Sequence, residues 1–221
     1  MDVSNLVQTV AIYALPVLFA ITLHEAAHGY VARHFGDMTA YAQGRISLNP
    51  ARHIDLLGTI VVPIAILAAS TLLGGAGLLF GWARPVPVNY SALRRPRQNM
   101  LWVAAAGPAA NLAMAFAWAA LYKAAEVLPA GYFTQPLLLM GKAGMEVNII
   151  LMLLNLLPIL PLDGGRIVAS LLPSRIAWGY AKLEPLGFPI LLLLLFTSVL
   201  GVILAPMVNF SFRVLGTVFQ I

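Results

Sequence analysis

The sequence predicts an all-α polytopic membrane protein. The expected architecture is a helical bundle of about 4–5 spans, with one re-entrant or extended segment and short β-like elements. Three observations carry this. Of 221 residues, 61% are hydrophobic and only 10% are charged, against roughly 25% charged in ordinary soluble domains. Apolar runs of membrane-spanning length recur along the chain. Between them fall short polar segments rich in Pro and Gly. A single membrane-embedded domain, residues 1–221, follows, with its core at 6–172 and a C-terminal span at 188–205. The net charge of +5, from 13 Lys and Arg against 8 acids, reports orientation in a bilayer and argues against nucleic acid as a partner. With no cysteine, a disulfide frame, a thiolate metal site and a cysteine nucleophile are all excluded. Residues 1–20 lack a basic leader and a small-residue cleavage site, so the first helix is expected to stay in the mature protein.

The first helix opens near Ser4 or Asn5, either of which can cap it. Its apolar run extends from about Leu6 to Val31 and ends at Phe35-Gly36-Asp37. Residues 37–48 carry Thr, Tyr, Ile and a central Gly and read as an extended or hairpin element. Asn49-Pro50 is a turn. The second apolar stretch, Leu56 to Phe80, is interrupted by Pro63 and by Gly74-Gly75-Ala76-Gly77. Gly81 to Asn89 has alternating prolines, Pro85 and Pro87, and is extended. The third stretch is Met100 to Leu121, containing Ala106-Gly107-Pro108-Ala109-Ala110-Asn111. The fourth is about Pro136 to Leu157, broken by Asn155-Leu156-Leu157-Pro158-Ile159-Leu160-Pro161-Leu162-Asp163-Gly164-Gly165. Residues 167–187 read as a short surface helix and loop, with Trp178 and Tyr180 at the membrane interface.

The chemistry concentrates at His24-Glu25-Ala26-Ala27-His28, an HExxH inside the first apolar run. Residues four apart share one helix face. Two imidazoles so placed can hold one metal ion, and the Glu between them can act as base toward a water that the metal activates. A charged side chain near the middle of a membrane helix costs about 2.5–3.5 kcal/mol, so three titratable groups in one turn need a compensating site. A catalytic zinc commonly takes three protein ligands. His34, His53, Asp55, Asp163, Glu126 and Glu146 are candidates for the third. Asp163 is preferred because it follows a helix broken by Pro158 and Pro161, where irregular backbone lines a cavity or is buried in protein.

His24 lies about 27 Å along the helix from Leu6, near one face of a hydrocarbon core about 30 Å thick. Asp163 can reach that face only if the 56–80 stretch enters and returns. Such a return places 10 of the basic residues on the motif's side and 3 on the other (Lys123, Lys142 and Arg213); a single crossing gives 7 against 6. The positive-inside rule prefers the return and makes the motif's side cytoplasmic.

HExxH, then AGPxxN at Ala106–Asn111, then NxxPxxPxDGG at Asn155–Gly165, in this order in a membrane protein, resembles the site-2 proteases, compact prokaryotic type. The similarity includes Gly81–Asn89 and covers most of the chain from His24 to Arg166. The resemblance implies a zinc-dependent intramembrane metalloprotease. It implies one Zn2+ on His24, His28 and Asp163, with Glu25 as catalytic acid/base, and cleavage in or near the transmembrane segment of a membrane-protein substrate. The setting it implies is a multi-pass protein of a prokaryotic inner membrane with its site near the cytoplasmic face. Asn155 is weighed between an oxyanion donor and a residue that satisfies the helix break. Asn111 is read as interhelical glue more than as chemistry or substrate contact. Two rival functions are an ion-binding transporter or channel and an inactive scaffold of the same fold. The first leaves unexplained a base beside paired zinc ligands, and the second has no support while Glu25 is present. The sequence sets no oligomeric state.

Overall fold

A computed structural model describes residues 3–53, 55–62, 65, 84–129 and 131–221. Eight α-helices are described: α1 Val3–His34, α2 Thr39–Ala42, α3 Pro96–Val127, α4 Thr134–Asn155, α5 Asp163–Leu171, α6 Ser174–Ala181, α7 Glu184–Phe196 and α8 Val199–Phe219. No strand occurs among the described residues. Four helices are long and apolar enough to cross a bilayer: α1 from Val7, α3, α4 and α8. The pair α6 and α7, bent by 61°, makes a fifth if it is one span. The chain is a multi-pass membrane protein.

The bundle core is α1, α3 and α4. Helices α3 and α4 approach closely because small residues face large ones. A Cβ on Gly144 would lie 2.2 Å from the Trp118 ring, and one on Gly141 would lie 2.9 Å from Tyr122. Ala115, Ala119, Met145, Ile149 and Leu153 fill the space between. Helix α1 runs antiparallel to α3: His28 meets Val103 and His24 meets Asn111. Tyr13 on α1 donates to Glu146 on α4 at 2.9 Å.

The path between α1 and α3 bears on the crossing count. Arg84 N–H donates to His53 O at 2.8 Å, and Arg94 N–H donates to Phe35 O at 3.0 Å. Asp37, 1% exposed, accepts from Asn89 N–H at 2.6 Å and from Thr39 N–H at 2.9 Å. The chain therefore leaves and rejoins the bundle at one end. Most of Leu56–Phe80, including the Gly74–Gly77 cluster, and residues 81–83 lie outside the described residues. Replacing Asp37 by asparagine puts an amide N–H where a second acceptor stood. We expect a loss of about 1–3 kcal/mol, read as a lower midpoint in denaturing-detergent unfolding of the purified protein.

Two expectations are corrected. Residues 37–48 are not β-like: Thr39 N–H donates to the Asp37 carboxylate in an Asx turn, and a single helical turn follows at Thr39–Ala42, so a local side-chain bond to the backbone competes with β propensity. The apolar run 188–205 is not one span. It breaks at Thr197-Ser198, where Ser198 takes φ 61° and Thr197 Oγ1 donates to Leu193 O at 2.7 Å. The last spanning helix is α8, Val199–Phe219. Likewise, the surface segment 167–187 is occupied by the end of α5, all of α6 and the start of α7.

Candidate metal centre

His24 and His28 are both buried on the face of α1 that meets α3. Asp163, also buried, opens α5 immediately after the Pro158–Pro161 break. Its place is held from both ends of α5. Gly164 and Gly165 allow the helix start to press on the backbone of Leu156–Leu160; a Cβ on Gly164 would lie 2.2 Å from Leu156 O. At the other end Arg97 Nε donates to Ser170 O at 2.9 Å, and its Nη2 donates to Leu171 O and Leu172 O, capping the last carbonyls.

Three potential ligand atoms converge. The two Nε2 atoms are 3.1 Å apart, and Asp163 Oδ2 lies 3.2 Å from that of His24 and 3.3 Å from that of His28. Ligands in a tetrahedral zinc site with bonds of 2.0–2.1 Å are about 3.3 Å apart. The outer contacts of each ring fix what it offers inward. His28 Nδ1 faces Val103 O at 2.7 Å, a carbonyl that can only accept, so Nδ1 carries the proton and Nε2 presents a lone pair. His24 Nδ1 lies 2.6 Å from the side-chain amide of Asn111, at its Oδ1. Asp163 Oδ2 is buried without a hydrogen-bond partner. An anionic oxygen and two ring lone pairs around one point fit a divalent cation. A side chain at position 107 would remove the room: a Cβ on Gly107 would lie 2.5 Å from His24 Cε1 and from His28 Nε2.

Glu25 is half-buried beside this triangle. Its Oε2 accepts from Val86 N–H at 2.7 Å. The extended segment Arg84–Asn89 thus lies against α1 at Glu25. Gly29 leaves space for the Val86 and Ile46 side chains, which a Cβ there would meet at 3.2 and 2.8 Å. Arg45 clamps the segment through Nη2, donating to Arg84 O and Pro85 O at 3.1 Å each. Burial and the neighbouring Arg84 push the Arg45 guanidinium down, and Glu25 pulls it back up. It keeps its charge in any case.

The other candidate ligands are placed elsewhere. His34 is exposed. His53 is buried with Nε2 on Ser47 O at 2.8 Å. Asp55 accepts from Gly58 N–H, Glu126 pairs with Lys123, and Glu146 accepts from Tyr13. Asn155 Nδ2 donates to Leu151 O at 2.9 Å within its own helix. Asn111 links three helices, with Oδ1 on His24 Nδ1 at 2.6 Å and Nδ2 donating to Ala20 O and Asn148 Oδ1. Sequence reasoning missed Asn148, fully buried on α4 and bonded to Asn111 at 2.9 Å. The available signal was an asparagine inside an apolar span.

The chain is 38% identical over 213 residues to the Bacillus subtilis protein named "Putative zinc metalloprotease YwhC", covering 88% of this chain and 84% of that one. It is 30% identical over 184 residues to Rip2 of Mycolicibacterium smegmatis, a protein of the same description, covering 83% of this chain and 66% of Rip2. For Rip2 of Mycobacterium tuberculosis the identity is 30% over 172 residues, 76% of this chain and 54% of that protein. No family model matches the chain, and no solved structure does. With a triangle of potential metal ligands built on HExxH and a relative matched over most of both chains, this membrane protein belongs to the zinc metalloprotease family that includes YwhC.

Proposed function

We propose that this protein is a site-2 protease-type zinc metalloendopeptidase that hydrolyses a peptide bond in or near the transmembrane segment of a membrane-protein substrate. The observation that carries the reading is the convergence of His24, His28 and Asp163 one residue from a carboxylate that no ligand role employs. Zinc held there would polarise the scissile carbonyl and acidify a water molecule. Glu25 takes the proton of the attacking water and delivers it to the leaving amine. Val86 N–H, now on Glu25 Oε2, holds that carboxylate in place. A helical substrate hides its carbonyls in its own hydrogen bonds, so it unwinds locally to be cut. The extended Arg84–Asn89 backbone, clamped by Arg45, offers an edge with which the unwound stretch can pair. The excess of basic residues on the motif's side supports a site near the cytoplasmic face of a prokaryotic inner membrane.

The test is co-expression of membrane-anchored candidate substrates with the wild type and with Glu25→Gln. The variant keeps every ligand and loses the base, so we expect zinc content to stay and fragment release to fall by about 10²–10⁴-fold. A variant that still releases fragments at the wild-type rate removes Glu25 from the chemistry.

A further inference from the structure

The histidines and the aspartate account for the triangle, but not for why His24 presents a lone pair. Its Nδ1 partner is an amide, and an amide can turn either end toward a ring. With its carbonyl toward His24, the ring proton sits on Nδ1 and Nε2 faces the metal site. With its NH2 toward His24, the ring would have to accept at Nδ1, and Nε2 would carry the proton. Asn111 alone does not decide between these.

We propose that Asn148 is a positioning residue that sets the orientation of the Asn111 amide and thereby keeps His24 in its metal-binding tautomer. This rests on the metalloprotease reading above and adds a residue to it. Gly144 O is a backbone carbonyl and can only accept, so Asn148 must aim its NH2 at it, at 2.8 Å. Asn148 Oδ1 is then the atom left to face Asn111, at 2.9 Å, and it can only accept. Asn111 must therefore donate toward Asn148, and its NH2 also points at Ala20 O, at 3.3 Å. Its own Oδ1 is left facing His24 Nδ1, at 2.6 Å. Each link is a donor forced by an acceptor, from α4 through α3 to α1. Asn111 and Asn148 are both 0% exposed, so water is not at hand to replace a missing partner, and the chain of bonds has one consistent direction. Ala20 O favours the same orientation over a longer distance, which makes Asn148 the stronger of two restraints. Outer partners of metal-binding histidines typically change metal affinity 10–100-fold when removed.

The experiment measures Zn2+ affinity of the full chain in detergent micelles by competition with a chromophoric chelator, alongside the visible spectrum of the Co2+-loaded protein. Asn148→Leu is expected to weaken Zn2+ binding about tenfold and to alter the Co2+ spectrum. Asn148→Asp, which keeps an acceptor toward Asn111, is expected to stay within about threefold of wild type. Ile149→Ala, a buried neighbour on α4 outside the network, should lower thermal stability while leaving affinity and spectrum unchanged. Wild-type affinity and spectrum in Asn148→Leu would overturn the inference. So would an equal loss in Ile149→Ala, which would make the effect general packing, or an Asn148→Asp as weak as Asn148→Leu. Should Asn148→Leu fail to fold, the comparison of Asn148→Asp with Ile149→Ala still decides: weaker binding in the former overturns the assignment, and retained binding supports it. Because the readout is metal binding and not cleavage, failure of this inference leaves a wild type that binds zinc. A wild type that binds none would instead bring down the reading on which it rests.

Discussion

Replacing Gly107 with alanine is expected to strip the protein of its metal. The added Cβ would sit 2.5–2.6 Å from His24 Cε1, His24 Nε2 and His28 Nε2, where carbon contacts need about 3.5 Å or more. The rings have little freedom to yield. Each is pinned at Nδ1, one by Asn111 Oδ1 and the other by Val103 O, at 2.6 and 2.7 Å. Moving either ring by about an ångström breaks that bond or turns Nε2 away from the site. We expect Zn2+ affinity to fall by about 100-fold or more, measured by chelator competition, with helical circular dichroism retained because alanine favours the helix that glycine disfavours. An alanine variant that binds zinc like the wild type would show that the two histidines are not packed against α3 as described.

Gly164→Ala should remove the metal by the opposite route, through the carboxylate. The new Cβ would fall 2.2 Å from Leu156 O and 2.4 Å from Leu157 O. Both are backbone atoms at the end of α4, so no rotamer change relieves the overlap. The start of α5 must move, and Asp163, the residue before, must move with it. Overpacking of this kind costs about 1–3 kcal/mol of stability, and loss of one of three ligands removes tight zinc binding. The contrast with Glu25→Gln is diagnostic. That variant is expected to hold metal and cleave far more slowly; Gly164→Ala is expected to hold no metal and therefore not to cleave. Equal zinc content in Gly164→Ala and wild type would mean that Asp163 is not held by this contact.

How much of this was legible depends on how far apart in the chain the interacting residues are. His24, Glu25 and His28 were readable because one helical turn fixes their relation. The break between α4 and α5 was readable because Pro158 and Pro161 forbid a continuous helix. Asp163 emerged first among six candidates by its place after that break. The single turn at Thr39–Ala42 was not foreseen, because the Asx turn at Asp37 set the local backbone against the β-forming composition around it. The division between α7 and α8 was missed for a related reason: Thr197 and Ser198 sit in an apolar run whose hydropathy masks a local helix break. The contacts of Asn148 with Asn111 and of Val86 with Glu25 were not readable, since each depends on a partner 37 or 61 positions away.

By itself, then, the sequence determined a membrane-embedded helical bundle, a turn carrying two imidazoles and a carboxylate on one helix, and a polar break able to present a second carboxylate. Periodicity and Pro or Gly punctuation are local properties, and local geometry suffices for those statements. Only the tertiary structure decided that Asp163 closes the triangle, that Gly107 leaves room for it, and that Asn111 and Asn148 stand in line behind His24. These depend on how α1, α3, α4 and α5 pack. Packing brings together atoms far apart in the chain, at distances set by which small side chains let two backbones meet.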